Sequence, residues 1–370
     1  MNAGRETVLQ FGAGRFLRAF VDRFIQQAND AGQNVGRVVV VQSTPGSRAE
    51  VLQQSSAGYH VLVRGYRDGE LIEEPERVCS VSRALVASSQ WDQVLALARS
   101  PDLKYIVSNT TESGYVLDPA DRLDSAPPAT FPGKLTRVLW ERFSVGGSPV
   151  VLLPCELIED NGDRLRELVL KQAGHWGLPE KFGQWLKSEC WWLNSLVDCI
   201  ITSPPADHPL LPRDPGLVCA EPYALWALKP TGRPAPPLFS NPFLHVVADL
   251  APFFLRKVRI LNGLHTAMVG KFSHAGFETV QQVLKDREGW RWCRGLVYEE
   301  IVPTLAYRVD DVAAFADEVF DRFRNPYLSH KLSDIALNHA DKVKIRLEPT
   351  RQEYERLFGR PPRRLVEAMS

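Results

Sequence analysis

Hydrophobic residues recur along this chain in two rhythms. Up to about residue 243, short apolar runs alternate with helically spaced ones; beyond it, helical spacing prevails. Thr7-Val-Leu-Gln-Phe11 predicts a strand, Gly12-Ala-Gly14 a turn, and Phe16, Ala19, Phe20 and Phe24 the buried face of a helix. Val38–Val41 predicts a second strand, completing a right-handed βαβ unit. Two β-patterned stretches, 59–66 and 77–81, flank Arg67-Asp-Gly-Glu70, and Asp-Gly between strands predicts a hairpin. Tyr105–Asn109 and Pro149–Leu153 predict further strands, with a helix from Lys134 to Phe143 between them and another after Gly162. The Pro-rich stretch from Lys229 to Pro242 excludes helix and central strand, so it predicts a linker. Beyond it, helices are expected from His245 to Leu255, through 257–268, and over 277–285, 289–301 and 312–323.

This pattern predicts an α/β protein: a Rossmann-type dinucleotide-binding domain with antiparallel additions (residues 1–243), followed by a mostly α-helical C-terminal domain (244–370). The 370 residues suffice for two cores. Equal numbers of basic and acidic residues, 44 of each, argue against a nucleic-acid partner while leaving room for a local basic pocket. The six cysteines lack metal-site or C-x-x-C spacing, and no apolar run reaches the ~18 residues of a membrane span. Reduced thiols, no metal, no membrane and a cytoplasmic location are therefore expected, with the oligomeric state unspecified.

In a strand–glycine turn–helix unit, Gly12 permits the turn and Gly14 lets the backbone approach a pyrophosphate. Leu17 stands where the third glycine of the dinucleotide fingerprint belongs, so a turn without a ligand fits the pattern equally well. The second strand ends in Gln42-Ser-Thr-Pro-Gly-Ser-Arg48 with no ribose-reading acid. Hydroxyls and Arg48 there leave NADP open beside NAD, and simple loop chemistry explains the stretch as readily.

Lys257-Val-Arg-Ile-Leu-Asn-Gly-Leu-His265 carries the densest candidate chemistry. At 100° per residue, Asn262 falls roughly 140° and His265 roughly 80° from Lys257, so the three polar groups share one face of an otherwise apolar helix. Burial disfavours an ammonium, which is how a lysine becomes an acid/base near neutral pH. A lysine reaching for solvent or for a carboxylate is the plainer reading of the spacing alone.

The Lys-x4-Asn-x2-His pattern resembles the signature of the polyol-specific long-chain dehydrogenase/reductase family, which includes mannitol dehydrogenases and hexuronate reductases. The likeness extends along the chain. Phe-Gly-x-Gly-x-Phe-x-Arg-Ala is matched by Gly12, Gly14, Phe16 and Arg18. Ser108-Asn-Thr-Thr-Glu112, Asn161-Gly162, Asn194-Ser-Leu-Val-Asp198, Glu221-Pro-Tyr and Asn325-Pro-x3-His330 follow in order. Departures are Cys199, where mannitol dehydrogenases have arginine, Asp334, where they have another arginine, and a shorter C-terminal part.

The resemblance implies NAD-dependent reduction of a keto sugar acid, tagaturonate to altronate. It makes Lys257 the general acid/base, with Asn161 and Asn262 donating to the reacting oxygen and His265 orienting the adjacent hydroxyl. Gly12, Gly14, Arg15, Phe16, Gln42, Ser43, Asn109 and Thr110 are implied to bind the cofactor, and Asp198, Lys342 and Arg346 the substrate. From the residues alone, Asn161 is more simply a cap or turn residue, and the cluster Lys342, Lys344, Arg346 a solvated face. Fructuronate, mannitol or mannitol 1-phosphate as substrate, or a sensor that binds dinucleotide without turnover, are the alternatives.

Overall fold

The computed structural model describes residues 4–369 apart from 56, 111 and 329. Its strands are β1 (Glu6–Phe11), β2 (Arg37–Gln42), β3 (Tyr59–Arg67), β4 (Glu70–Val78), β5 (Val81–Val86), β6 (Tyr105–Ser108), β7 (Val151–Pro154), β8 (Trp191–Asp198), β9 (Ile201–Thr202), β10 (Val218–Ala220), β11 (Leu225–Pro230) and β12 (Leu244–Val246). Eight of them form one sheet in the order β12-β11-β8-β7-β6-β1-β2-β5. From β5 to β8 the pairing is parallel, and the sequence of strands is that of a dinucleotide-binding sheet, with its reversal between β1 and β6. β11 joins β8 antiparallel. Because such strands are covered on both faces, they are apolar continuously rather than alternately: Val38, Val39, Val40 and Val41 of β2 are all fully buried. Each contributes about 1.5–2 kcal/mol by leaving water.

A smaller sheet, β4-β3-β10-β9, contains a hairpin at the predicted turn, its second strand running over Glu70–Val78 where the pattern placed it at 77–81. Its turn residues Asp68 and Gly69 have φ of 53° and 81°, as a two-residue type I′ turn requires.

The chain divides into two compact units. The first comprises residues 1–63, 74–220 and 224–248; the second comprises 64–73, 221–223 and 249–370. The hairpin tip and the Glu221-Pro-Tyr223 segment thus belong with the C-terminal helices. The Pro-rich stretch behaves differently from a linker. Ser240 exchanges hydrogen bonds with the Gln33 side chain (2.7 Å each way), Asn241 Nδ2 donates to Gln27 Oε1 (2.9 Å), and Phe239 is buried against Trp226 and Tyr105. Side-chain bonds and ring contacts hold a segment whose prolines cannot donate to a ladder. The helix expected to start at His245 begins instead at Ala251, because 244–246 pairs in parallel with β11.

The second unit is helical around its own core of Ile260, Leu264, Met268, Val297, Phe315 and Phe323. Three of its segments, Lys257–Asn262, Leu296–Ile301 and Val343–Leu347, are π-helical. Among the described residues no helix is long and apolar enough to cross a membrane.

Candidate functional site

In the first unit, the residues expected to meet a cofactor gather where β1, β2 and β6 end. Gly12 has φ +134°, and a Cβ there would lie 3.0 Å from Leu17 Cδ1 and 3.2 Å from the Asn109 carbonyl. Leu17 therefore occupies the space that a third glycine would leave empty, packing the helix Arg15–Ala19 onto the turn. Around Gly14 nothing lies within 4 Å of a Cβ position, so its backbone is open to approach. Phe16 is half-buried and stacks on Phe20 (4.9 Å, 23°), while exposed Arg15 donates to Ser203 Oγ at 2.5 Å.

At the end of β2, Gln42 folds its own loop: Nε2 donates to the carbonyls of Thr44 and Gly46 (2.9 and 2.6 Å), and Oε1 accepts from Ala49 N (2.7 Å). Its amide is committed within the protein. Ser43 differs, since its Oγ is sealed from solvent and lacks a partner among the described residues. An open glycine backbone and an orphaned hydroxyl on adjacent strand ends fit the pyrophosphate and ribose of a dinucleotide.

At the end of β6, Asn109 Nδ2 donates to the Cys155 carbonyl (2.6 Å). Thr110 donates through N (2.9 Å) and Oγ1 (3.3 Å) to Glu156 Oε1, whose other oxygen accepts from Ser108 and Tyr115. Glu156 is buried, which raises its pKa, and those donors hold it. It organises the whole strand end, a role no spacing in the sequence announces. Thr111, in the middle of the same motif, lies outside the described residues.

Asn161 opens the helix Asn161–His175 behind Asp160, which takes the N-cap position with φ 51°. Gly162 lets that helix touch β8, since a Cβ there would meet the Leu193 carbonyl at 2.5 Å. The Asn161 amide is fully buried; Nδ2 lies 3.0 Å from the Glu156 carbonyl and 3.1 Å from Ser195 Oγ, and Oδ1 accepts from Ser195 N at 2.8 Å. In this structure Asn161 is a brace between β7 and β8, and a ligand oxygen would have to compete for hydrogens already engaged. Asp198 ends β8, buried, opposite Leu225. The Glu221-Pro-Tyr223 segment precedes β11 without being part of it.

In the second unit, Lys257 and Asn262 begin and end a π-helical turn. With i→i+5 bonding, residues five apart stack one turn from each other, so the pair is closer in azimuth than a regular helix makes it. Lys257 is half-buried, not enclosed as an all-apolar helix suggested, because the buried face starts only at Ile260. Asn262 is half-buried too, its carbonyl engaged by Thr266 Oγ1 at 2.9 Å.

His265 lies flat on Phe323, ring centroids 3.9 Å apart at 13°, and perpendicular to His330 at 5.3 Å and 82°. Its Nε2 is sealed and has no hydrogen-bond partner among the described residues. Burial, and then the charges of His330, Arg322, Arg346 and Lys342, hold its pKa well below the usual value, so the ring is neutral at physiological pH. Burial and Arg322 bring His330 down to about 4. Arg346 donates to Thr266 Oγ1 (3.2 Å) and Lys342 Nζ to the Ile335 carbonyl (2.8 Å). Burial and Arg346 together lower the Lys342 pKa. Phe323, Arg322 and His330 went unassigned in the sequence, although Asn-Pro-x3-His marks the last of them.

Residues 6–237 match the mannitol dehydrogenase Rossmann domain and residues 249–368 the mannitol dehydrogenase C-terminal domain. The chain belongs to the mannitol dehydrogenase family. It is an oxidoreductase. It is 40% identical to an altronate oxidoreductase of Bacillus subtilis over 99% of this chain and 78% of the relative, and 38% identical to one of Shigella flexneri with the same coverage. Among solved structures, a substrate-free D-sorbitol dehydrogenase superimposes with a TM-score of 0.83 at 21% identity, covering 100% of this chain and 80% of that one. A Pseudomonas fluorescens mannitol 2-dehydrogenase in ternary complex with NAD and D-mannitol gives 0.74 at 21% identity, covering 99% and 78%. These two share the fold.

Proposed function

We propose that this protein reduces a keto sugar acid to the hydroxy acid with NAD as cofactor, and that the pair is tagaturonate and altronate. The observation that carries the substrate class is the charge around His265. Arg346 and Lys342 act on it electrostatically in addition to Arg322, and since Glu221 already offsets Arg322, these two cations are the ones left for an anion. Such surroundings suit an anionic substrate, and Lys342 with Arg346 would hold its carboxylate, Arg through its planar fork. The relatives named altronate oxidoreductases support the same choice.

NAD, when bound, exchanges the hydride. Lys257 protonates the oxygen of the reduced carbon and takes that proton back in the reverse direction. The Asn262 amide donates to the same oxygen as charge develops, an interaction worth about 3 kcal/mol in comparable sites. His265, neutral, orients the neighbouring hydroxyl.

The test is the loss of NADH absorbance, with NADPH in parallel, on adding tagaturonate, fructuronate, fructose or fructose 6-phosphate, repeated with Lys257→Ala. Turnover of tagaturonate that falls at least a hundredfold in the variant supports the proposal. A preference for fructose would replace the acid with a polyol pair, and cofactor binding with no turnover of any of the four would favour a sensor.

A further inference from the structure

Three rings meet inside the second unit. Phe323 covers one face of the His265 imidazole, and His330 stands at right angles to both, 82° from His265 and 86° from Phe323, with its centroid 6.2 Å from the latter. The backbone of His330 is itself pinned. Its carbonyl accepts from Val280 N (3.0 Å), and the next residue, Lys331, bridges to Thr279, whose capping box starts the helix Val280–Lys285. His330 thus reaches His265 from a fixed point, on a segment separate from the helix that carries His265.

An imidazole between a flat partner and a perpendicular one has little freedom about its last torsion, which is otherwise broad. That matters here because no hydrogen bond at Nε2 fixes the His265 plane: that nitrogen is sealed without a partner among the described residues. Ring packing has to supply the orientation that a carboxylate supplies for other active-site histidines.

We propose that His330 is a positioning residue for the reduction, its ring edge fixing the plane of the His265 imidazole against Phe323 and excluding water from it. This rests on the catalytic reading of His265 given above. The charged and titratable groups bearing on the pair are Arg322 from the helix Val312–Arg324, and Lys342 and Arg346 from the segment that follows. None of them packs a ring against the imidazole, so the orienting role falls to Phe323 and His330.

The role predicts a difference between two variants. His330→Ala removes the clamp and admits water; His330→Phe keeps a ring of similar reach without its nitrogens. In His330→Ala, kcat should fall about ten- to a hundredfold, with a smaller change in KM for the keto acid and unchanged NADH binding, as expected when a reacting group is misplaced. The acid limb of the kcat/KM profile should move to higher pH, because an imidazole reached by water titrates nearer its ordinary value. His330→Phe should restore most of kcat and bring the limb back toward its wild-type place, short of it by the share that the His330 charge contributes. The titration of the His265 ring is followed by NMR, its signal identified by its loss in His265→Gln, and this readout does not depend on turnover. Should the wild type reduce no uronate, the functional reading fails, yet the shift of the His265 titration in His330→Ala and its reversal in His330→Phe still test the clamp. An unchanged His265 titration and rate in His330→Ala, or a phenylalanine variant as impaired as the alanine one, overturns it. If His330→Ala does not fold, His330→Gln, which also lacks a ring, takes its place with the same expectations.

Discussion

Glu221 and Arg322, 101 residues apart, form a bidentate ion pair inside the second unit, Nε to Oε2 at 3.0 Å and Nη2 to Oε1 at 2.9 Å, with both side chains almost wholly buried. The guanidinium also lies 4.2 Å above the Tyr223 ring. Arg322 begins the Arg-Phe dipeptide whose second member carries His265, so the pair secures the floor of that histidine's pocket. Removing one partner strands the other's charge in a medium that cannot solvate it. Glu221→Gln should therefore destabilise the protein by about 3–5 kcal/mol. Urea denaturation measures this, and a loss below about 1 kcal/mol would mean that water reaches Arg322.

Gly12→Ala tests the cofactor turn. At φ +134°, with Leu17 and Asn109 as close neighbours, the added methyl is strained and displaces the strand end. NADH should bind at least tenfold more weakly, followed by its fluorescence, at a cost of about 1–3 kcal/mol in stability. Gly14→Ala meets no neighbour in the protein. Any loss of NADH affinity in that variant therefore reports contact with the ligand itself.

Substitution of Lys342 or Arg346 by Met should separate the substrate classes. If these two cations hold a carboxylate, each change raises KM for tagaturonate by about ten- to a hundredfold, corresponding to 1.4–2.7 kcal/mol. Any residual activity toward fructose should be unaffected. Equal losses on both substrates would assign the residues to the fold instead.

A buried acid in the first unit makes stability depend on pH. Asp22 is fully enclosed, accepts a hydrogen bond from Tyr59 OH at 3.0 Å, and is pushed up to about 7 by burial. The folded protein then holds a proton that the unfolded chain has released, so this contribution is complete at low pH and is lost as pH rises from the ordinary carboxyl range through about 7. Asp22→Asn, similar in shape and without a proton to lose, should gain about 3 kcal/mol relative to wild type between pH 4 and pH 8. Denaturation at the two pH values checks it; a constant difference would place the native Asp22 in its ionised form throughout.

Local pattern alone determined a good deal of this protein. The apolar runs at Val8–Leu9, Val38–Val41, Ile106–Val107 and Val151–Leu153 are strands buried on both faces, and a parallel sheet can be read from them because burial on both sides suppresses alternation. Asp68-Gly69 specified its hairpin because few residue pairs accept two positive φ angles in succession. Gly12 marked the turn for a like backbone reason, its φ of +134°, and Gly14 for the open space beside its backbone. Lys257, Asn262 and His265 were legible as a group because helical spacing is a local property.

Other features required the chain to be folded. A π-helical turn, and not a regular helix, sets the azimuth of Lys257 against Asn262. The Pro-rich stretch is held down by Gln27, Gln33 and Trp226, partners far away in sequence. Asn161, by spacing a cap or turn residue, is braced in the fold by Ser195 and Glu156. Glu221 with Arg322, and His330 with His265, are contacts between separate segments. Hydrogen bonds and ring packing act over a few ångströms of space irrespective of distance along the chain, so residue spacing carries no record of them.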